Sequence, residues 1–430
     1  MTTPTLNDPP RHRWKVLAAG VLANAAFSVA FSGLPMTAVV MRSGYRLDTA
    51  TLGLVLGLMG LGIALSELPW GVLTDRFGDR PVLVVGLTGT TLALAAMAAW
   101  AAPSAGHVPP LGRLACGLVA VGLLGGSVNG ASGRAVMRWF GEGERGLAMS
   151  IRQTAVPLGG AVGALLLPAI ALHAGFAALY AFLAAACALA GVLAAAWVRD
   201  PVRDVRVTPA RARVGAPARR ATPLRDASVW RIVGGIGILC APQFALLSFG
   251  SVFLHDAGHV GLGVSSAAMV AVQVGAMVMR VWSGRWTDRH RNRPTYLRAC
   301  AWMSAALFAA LAGVALAAEL GVLAGLALRV AMGVALVAGG VCVSAWHGVA
   351  FTELATRAGA DQAGTALGMG NTAVFAVCFV TPPVMAHLLL WQGWPLAWLA
   401  AGGCALVALR GLVPSTPTPA ALAGARPAPR

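Results

Sequence analysis

Arg280 stands in an apolar run, flanked by Val278, Met279, Val281 and Trp282, with no acid beside it. It lies eight positions ahead of Asp288, so on a membrane-crossing helix it sits about 12 Å from that charged end, near the midplane. A guanidinium at such depth is costly and is usually functional. Its planar fork of donors matches a carboxylate bidentately, which a lysine ammonium does less well. The competing reading is an arginine that snorkels to the nearer interface.

The chain supplies a counterpart by duplication. Gly71-Val-Leu-Thr-Asp-Arg-Phe-Gly-Asp-Arg-Pro81 returns as Gly284-Arg-Trp-Thr-Asp-Arg-His-Arg-Asn-Arg-Pro294, offset by 213. The same offset carries Arg280 onto Glu67, which stands eight positions ahead of Asp75. Glu67 is therefore expected at the depth of Arg280, where it lines the cavity, pairs with Arg280 or carries a proton. A buried carboxyl suits proton carriage. The alternative is a helix-end acid reaching out to cytoplasmic arginines.

Polar residues on other apolar runs complete a candidate site: Asn24, Gln153, Gln243, Gln273, Trp346, His347 and Asn371. Gln273 precedes Arg280 by seven residues and shares its helix face. His347 is a second proton candidate. Taken singly, each of these is as well explained by a hydrogen bond between helices. Arg113 and Arg329, near the outer ends of their runs, read as outer-gate or coupling residues, or as helix anchors.

The elements that must position these groups are long apolar helices. Of 430 residues, 58% are hydrophobic and 11% charged, against about 25% charged in soluble domains. Runs of about 20 apolar residues recur throughout, each long enough to cross a bilayer. The net charge of +17 does not indicate nucleic acid. Arginine clusters at alternate gaps between the runs, the positive-inside pattern, which places both termini in the cytoplasm. The sole lysine is Lys15, so no Walker lysine exists, and HExxH and GxSxG are absent. The seven cysteines lie in apolar runs without CxxC pairing. Histidines are scattered, and neither metal nor cofactor is expected.

The expected architecture is an all-α membrane protein with about twelve transmembrane helices in two pseudo-symmetric six-helix bundles. The boundaries are a cytoplasmic tail over 1–13, bundles over 14–198 and 229–412, a cytoplasmic linker over 199–228 and a disordered tail over 413–430. Helices four and ten are expected as single rods, the latter over 320–348. Two further matches support duplication: Arg113-Leu-Ala-Cys-Gly117 with Arg329-Val-Ala-Met-Gly333, and Gly146–Val156 with Gly364–Val374. An even number of crossings in each half makes the repeat parallel.

The repeated charged turn resembles the signature loop of the major facilitator superfamily, and Arg113 with Gly117 resembles its fourth-helix arginine motif. The resemblance covers nearly the whole chain. It implies a gate built from Gly71, Asp75, Arg76, Gly78 and Arg80 in one half, and Gly284, Asp288, Arg289 and Arg293 in the other. In that gate the glycines allow close helix contact and the aspartates meet arginines or helix N-termini across it. The arginines face the anionic leaflet, or serve only as topology signals. Arg280, Gly284 and Asp288 resemble the eighth helix of monocarboxylate and oxalate/formate transporters, whose arginine binds substrate carboxylate. Val156-Pro-Leu-Gly-Gly160 only partly matches the fifth-helix motif of drug exporters.

The expected function is a monomeric secondary transporter in the plasma (inner) membrane, with lipid around it. It would move a small organic anion, a carboxylate, with protons. The alternative is a proton-driven exporter of drugs or siderophore-like compounds.

Overall fold

A computed structural model of the chain describes residues 12–104, 106–140, 148, 149, 151–199, 223–358 and 363–412. The described residues form eleven helices long and apolar enough to span a membrane. They are α1 (His12–Gly44), α2 (Thr49–Phe77), α3 (Asp79–Trp100), α4 (Leu111–Val136), α5 (Ile151–His173), α6 (Gly175–Trp197), α7 (Ala227–Asp256), α8 (Leu262–His290), α9 (Arg293–Glu319) and α10 (Gly325–Ala358), followed by one long segment, Thr365–Leu412. That last segment belongs to a helix of 50 residues, which if straight would reach about 75 Å, far beyond a hydrocarbon core of about 30 Å. It turns at Gly393, whose φ of 74° is a conformation open to glycine. The arms before and after that glycine are α11 and α12, giving twelve crossings.

Within each half the helices pack mainly on their own kind: α1 on α5, α3 on α6 and α2 on α4, then α7 on α11 and α12, and α9 on α10 and α12. The halves meet along α2 with α11 and α5 with α8, and at one end where α1 reaches α7. Duplication shows in the backbone as well. The charged turn after α2 bends at Gly78 (φ 97°), and the matching turn after α8 bends at Arg291 (φ 51°).

Side-chain caps start two of the spans. The Asp48 carboxylate accepts from the Thr51 amide at 2.7 Å, and that bond holds it below the usual carboxylate range. Asp226 accepts from the Ser228 amide at 2.8 Å, and its bonding to Ser228 lowers it likewise. A 3₁₀ turn at Pro223–Arg225 and the start of α7 at Ala227 therefore fall inside the stretch expected as linker, 199–228. Residues 200–222 of that linker, residues 1–11 of the N-terminal tail and the 413–430 tail lie outside the described residues. His12 is already helical.

Three helices are broken, α4 and α10 among them against expectation. α1 passes through a 3₁₀ turn, Leu34–Thr37, at Pro35. α4 is built from Leu111–Gly125 and Ser127–Trp139, and α10 from Gly325–Ser344 and His347–Ala358. Irregular backbone at membrane depth survives only where protein covers it. The chain covers the α4 break by donating Trp70 Nε1–H to the Leu123 carbonyl at 2.7 Å.

Glycine sets how closely the halves approach. A Cβ on Gly57 would collide with the Phe379 carbonyl oxygen, and one on Gly53 would lie 2.7 Å from that of Pro382. α11 carries Pro382-Pro383. Prolines have no N–H to return to the preceding turn, so carbonyls there are left facing α2. The bare glycine backbone lets weak Cα–H···O contacts form against them. Gly57→Leu is expected to destabilise the protein by about 1–3 kcal/mol and to block transport, because rigid backbone stands where the side chain must go. Gly71→Leu, with open space around it, should be near neutral. Melting of the two variants in detergent against the parent checks this.

Candidate functional site

The break in α10 organises the polar centre. Losing a helical turn frees the carbonyls of Ser344 and Ala345 at the start of the gap. Arg280 on α8 donates Nε–H to the Ser344 carbonyl at 3.2 Å. Ser283, one turn on, donates its hydroxyl to the Ala345 carbonyl at 3.0 Å, and Tyr296 on α9 reaches the same oxygen at 3.5 Å. Arg280 also points Nη1 at the Gln153 carbonyl of α5, 3.5 Å away, in the other half of the molecule. Among the described residues Arg280 has no carboxylate partner. Its charge is held at the seam by two backbone oxygens, one from each half.

Three of the other expected site residues gather around the same break, and a fourth, Gln273, lies two turns along α8. Gln243 on α7 donates to the Ser344 hydroxyl at 3.3 Å, while its own carbonyl oxygen has no partner. Trp346 is fully buried and stacks on His347 at 4.0 Å. His347 Nε2 faces the Cys240 sulfur at 3.8 Å, and its Nδ1 is unpartnered. Gln273, one face of α8 further along, presses its amide against Gly160 of α5, where a Cβ would come within 2.7 Å. With the Gln153 carbonyl, the structure brings Arg280, Gln243, Trp346 and His347 together between α5, α7, α8 and α10, and Gln273 continues the polar face of α8 against α5.

Glu67 and Asn371 form a second district across the α2–α11 seam. Asn371 donates its amide to the Glu67 carboxylate at 3.1 Å, and the other carboxylate oxygen has no hydrogen bond. Glu67 does not pair with Arg280, one of the alternatives open from sequence. The positive charge acting on it is Arg152 of α5, with Asn129 nearby. Arg152 is 5% exposed, donating Nε–H to the Ser132 hydroxyl at 2.9 Å and Nη2–H to the Asn129 carbonyl at 2.6 Å. Sequence reasoning does not single out Arg152. Its place in the first turn of α5, beside Gln153, was the signal that it enters the membrane. Asn24 on α1 is 1% exposed, with neither amide atom bonded to protein.

Arg113 is exposed and donates at 3.5 Å to the Trp100 carbonyl at the end of α3, and Arg329 donates to the Gly258 carbonyl after α7 at 3.2 Å. Both tie helix ends together, as the helix-anchor alternative expects. Two expectations change. Gly71 and Gly284 have open space beside them, so no close helix contact forms there. The motif aspartates bind within their own halves: Asp75 to Arg134 at 2.7 Å and Asp288 to Arg293 at 2.8 Å. Arg76 lies over the Phe77 ring, and Arg80 holds the Ala195 carbonyl at the end of α6. The buried acid of the first motif is instead Asp79, 2% exposed in its side chain, between Arg134 at 3.4 Å and Arg138 at 3.3 Å.

The end remote from the motifs is shut. Arg42 grips Asp256 bidentately at 2.5 and 2.6 Å, joining α1 to α7, and His255 Nδ1 contacts the same carboxylate at 2.8 Å. Beneath this pair, Phe31 meets Phe244 and Phe375 edge-on. A small apolar pocket of about 20 Å³, room for little more than one water, lies between Phe31, Met59, Leu118, Phe244 and Cys378.

Twelve crossings in two equivalent halves, with charged turns at matching places and polar groups at the seam, describe a carrier. The model of the Major Facilitator Superfamily matches residues 16–382. The chain belongs to the major facilitator superfamily. Two relatives from Mycobacterium tuberculosis are 31% identical over 402 residues, 92% of this chain and 84% of theirs: "Uncharacterized MFS-type transporter Rv2994" of strain H37Rv and "Uncharacterized MFS-type transporter MT3072" of strain CDC 1551. The "Uncharacterized transporter YybO" of Bacillus subtilis is 28% identical over 172 residues, 38% of this chain and 36% of its own. The protein is thus a multi-pass membrane transporter and not an enzyme.

The superfamily's signature loop therefore contains two acids of different character here. Asp79→Asn leaves two arginines facing a neutral amide in a buried place and is expected to cost about 3–5 kcal/mol. Asp75→Asn, whose carboxylate is 81% exposed, should cost less than about 1 kcal/mol. Thermal melts of the purified variants would distinguish them.

Proposed function

We propose that this transporter moves a small organic anion, a carboxylate, across the plasma (inner) membrane by alternating access, together with a proton. We place both termini in the cytoplasm, on the positive-inside distribution of arginine. One observation carries the anion reading: Arg280 sits at the seam with no acidic partner, held by carbonyls of Ser344 and Gln153 from opposite halves. A guanidinium so placed keeps donors for a carboxylate, and an anion bound there draws on both halves at once. Gln243, with a free carbonyl oxygen, and His347, with a free Nδ1, supply neighbouring polar contacts.

The proton role falls to Glu67. Its one hydrogen bond crosses from α2 to Asn371 on α11, so its charge state bears on the contact between halves. Arg152 belongs to the same half as Glu67, so the link that protonation weakens between halves is the bond from Asn371, which then meets a neutral acceptor in place of a carboxylate. The Arg42–Asp256 pair is the matching closure at the outer end.

The exporter reading keeps one point in its favour, the pocket lined by Phe31 and Phe244. It lacks the ion pair that would neutralise Arg280.

Two experiments test the proposal in liposomes containing the whole protein. Arg280→Lys should abolish uptake of carboxylates while the protein still inserts and remains monodisperse; near-normal uptake removes the anion reading. Glu67→Gln should still exchange substrate between the two sides but no longer concentrate it under a pH gradient. Undiminished accumulation by that variant removes the proton role.

A further inference from the structure

The lipid-side face of α8 near the motif end carries a groove of about 570 Å³ between Met277, Val278, Val281, Trp282, Arg285, Trp286, Arg289 and His290. These positions recur every three or four residues, so they form one stripe along the helix. The opposite face is the packed one, with Ala276, Ser283 and Thr287 buried. The stripe changes character along its length. Its deep part is apolar, with Val278 60% exposed. Its middle is a ladder of rings: Trp282 stacks on Trp286 at 5.8 Å, and Trp286 contacts His290 at 4.7 Å. Its end holds Arg285 and Arg289, one turn apart and both exposed.

Neither arginine makes a hydrogen bond or ion pair among the described residues. The nearest acid in sequence, Asp288, is taken by Arg293. The general motif does not explain the groove either. At the equivalent places on α2 the chain has Val72 for Arg285, Leu73 for Trp286 and Phe77 for His290. The second half therefore adds a cation and an indole that the gate does not use.

The geometry points to a binding site for one anionic glycerophospholipid in this groove. Its phosphate would lie between Arg285 and Arg289, its glycerol region against Trp282 and Trp286, and an acyl chain along Val281 and Val278. Apolar surface below, indole at the interface and paired guanidinium at the headgroup match that molecule in order and in sign. The site lies on α8, two turns from Arg280 on the same helix, so an occupied groove would brace the helix that carries the substrate arginine.

The test uses full-length protein in detergent, titrated with brominated phosphatidylglycerol or brominated phosphatidylcholine, reading tryptophan quenching. Subtracting the signal of Trp282→Phe/Trp286→Phe isolates the groove. Phosphatidylglycerol should quench this component at a concentration roughly 30-fold lower than phosphatidylcholine, as two interfacial arginines predict. Arg285→Gln/Arg289→Gln should erase that preference, and Arg285→Lys/Arg289→Lys should keep most of it, with both variants monodisperse. Equal quenching by the two lipids overturns the proposal, as does a preference that survives the glutamine changes. Displacement of the lipid by millimolar inorganic phosphate overturns it too, by making the groove a simple anion site.

Discussion

In hydrocarbon, a backbone carbonyl released from a helix must find a donor, and that requirement shapes the centre of this protein. The gap in α10 releases the Ser344 and Ala345 carbonyls where water cannot reach them freely. The chain answers with Arg280, Ser283 and Tyr296, drawn from α8 and α9. One of these donors carries a full charge. The break therefore does two things together: it holds a guanidinium at the seam between the halves and it ties α8 to α10. A continuous α10 would offer Arg280 no oxygen there, and the arginine would have to snorkel.

The same logic explains why the halves can touch yet still part. Their seam is made of small residues on one side and exposed carbonyls on the other, as at Gly57 and Phe379, and of single hydrogen bonds, as between Asn371 and Glu67. Such contacts are individually weak, so rocking one bundle against the other sacrifices little at any one point. The stronger links, Arg42–Asp256 across the halves and Asp79 with Arg134 and Arg138 within one half, sit at the two ends. In the conformation seen here the cross-half ion pair is closed at the end remote from the motifs, while Gly71 and Gly284 look onto open space.

The two motif copies show how duplication diverges under function. Both turns pass through positive φ at the matching place, but with different shapes: Gly78 has ψ 170°, while Arg291 is left-handed helical with ψ 37°. Asp79 becomes Asn292, and the second half loses the buried acid that clamps the end of α4 in the first. In exchange, α8 gains the exposed Arg285 and the Trp282–Trp286 stack. The first half is thus locked internally at its motif end, and the second presents that end to its surroundings.

Sequence alone determined the membrane class, the long apolar helices and the motif that repeats between them, because apolar length and a fixed rise per residue are local properties. It also singled out the polar residues that gather around α10. Tertiary structure decided what each touches. Arg113 and Arg329 bond carbonyls at neighbouring helix ends, a choice among the alternatives that depends on how neighbours pack. Arg152 and Asp79 escaped notice because burial of a charge near a helix end is set by the elements folded over it. Glu67 found Asn371 instead of Arg280, as two residues at one depth meet only if their helices adjoin. The break in α10 was invisible for a related reason: Ser344-Ala-Trp-His347 carries no proline or glycine, and only the donors arriving from α8 and α9 make an interrupted helix affordable there.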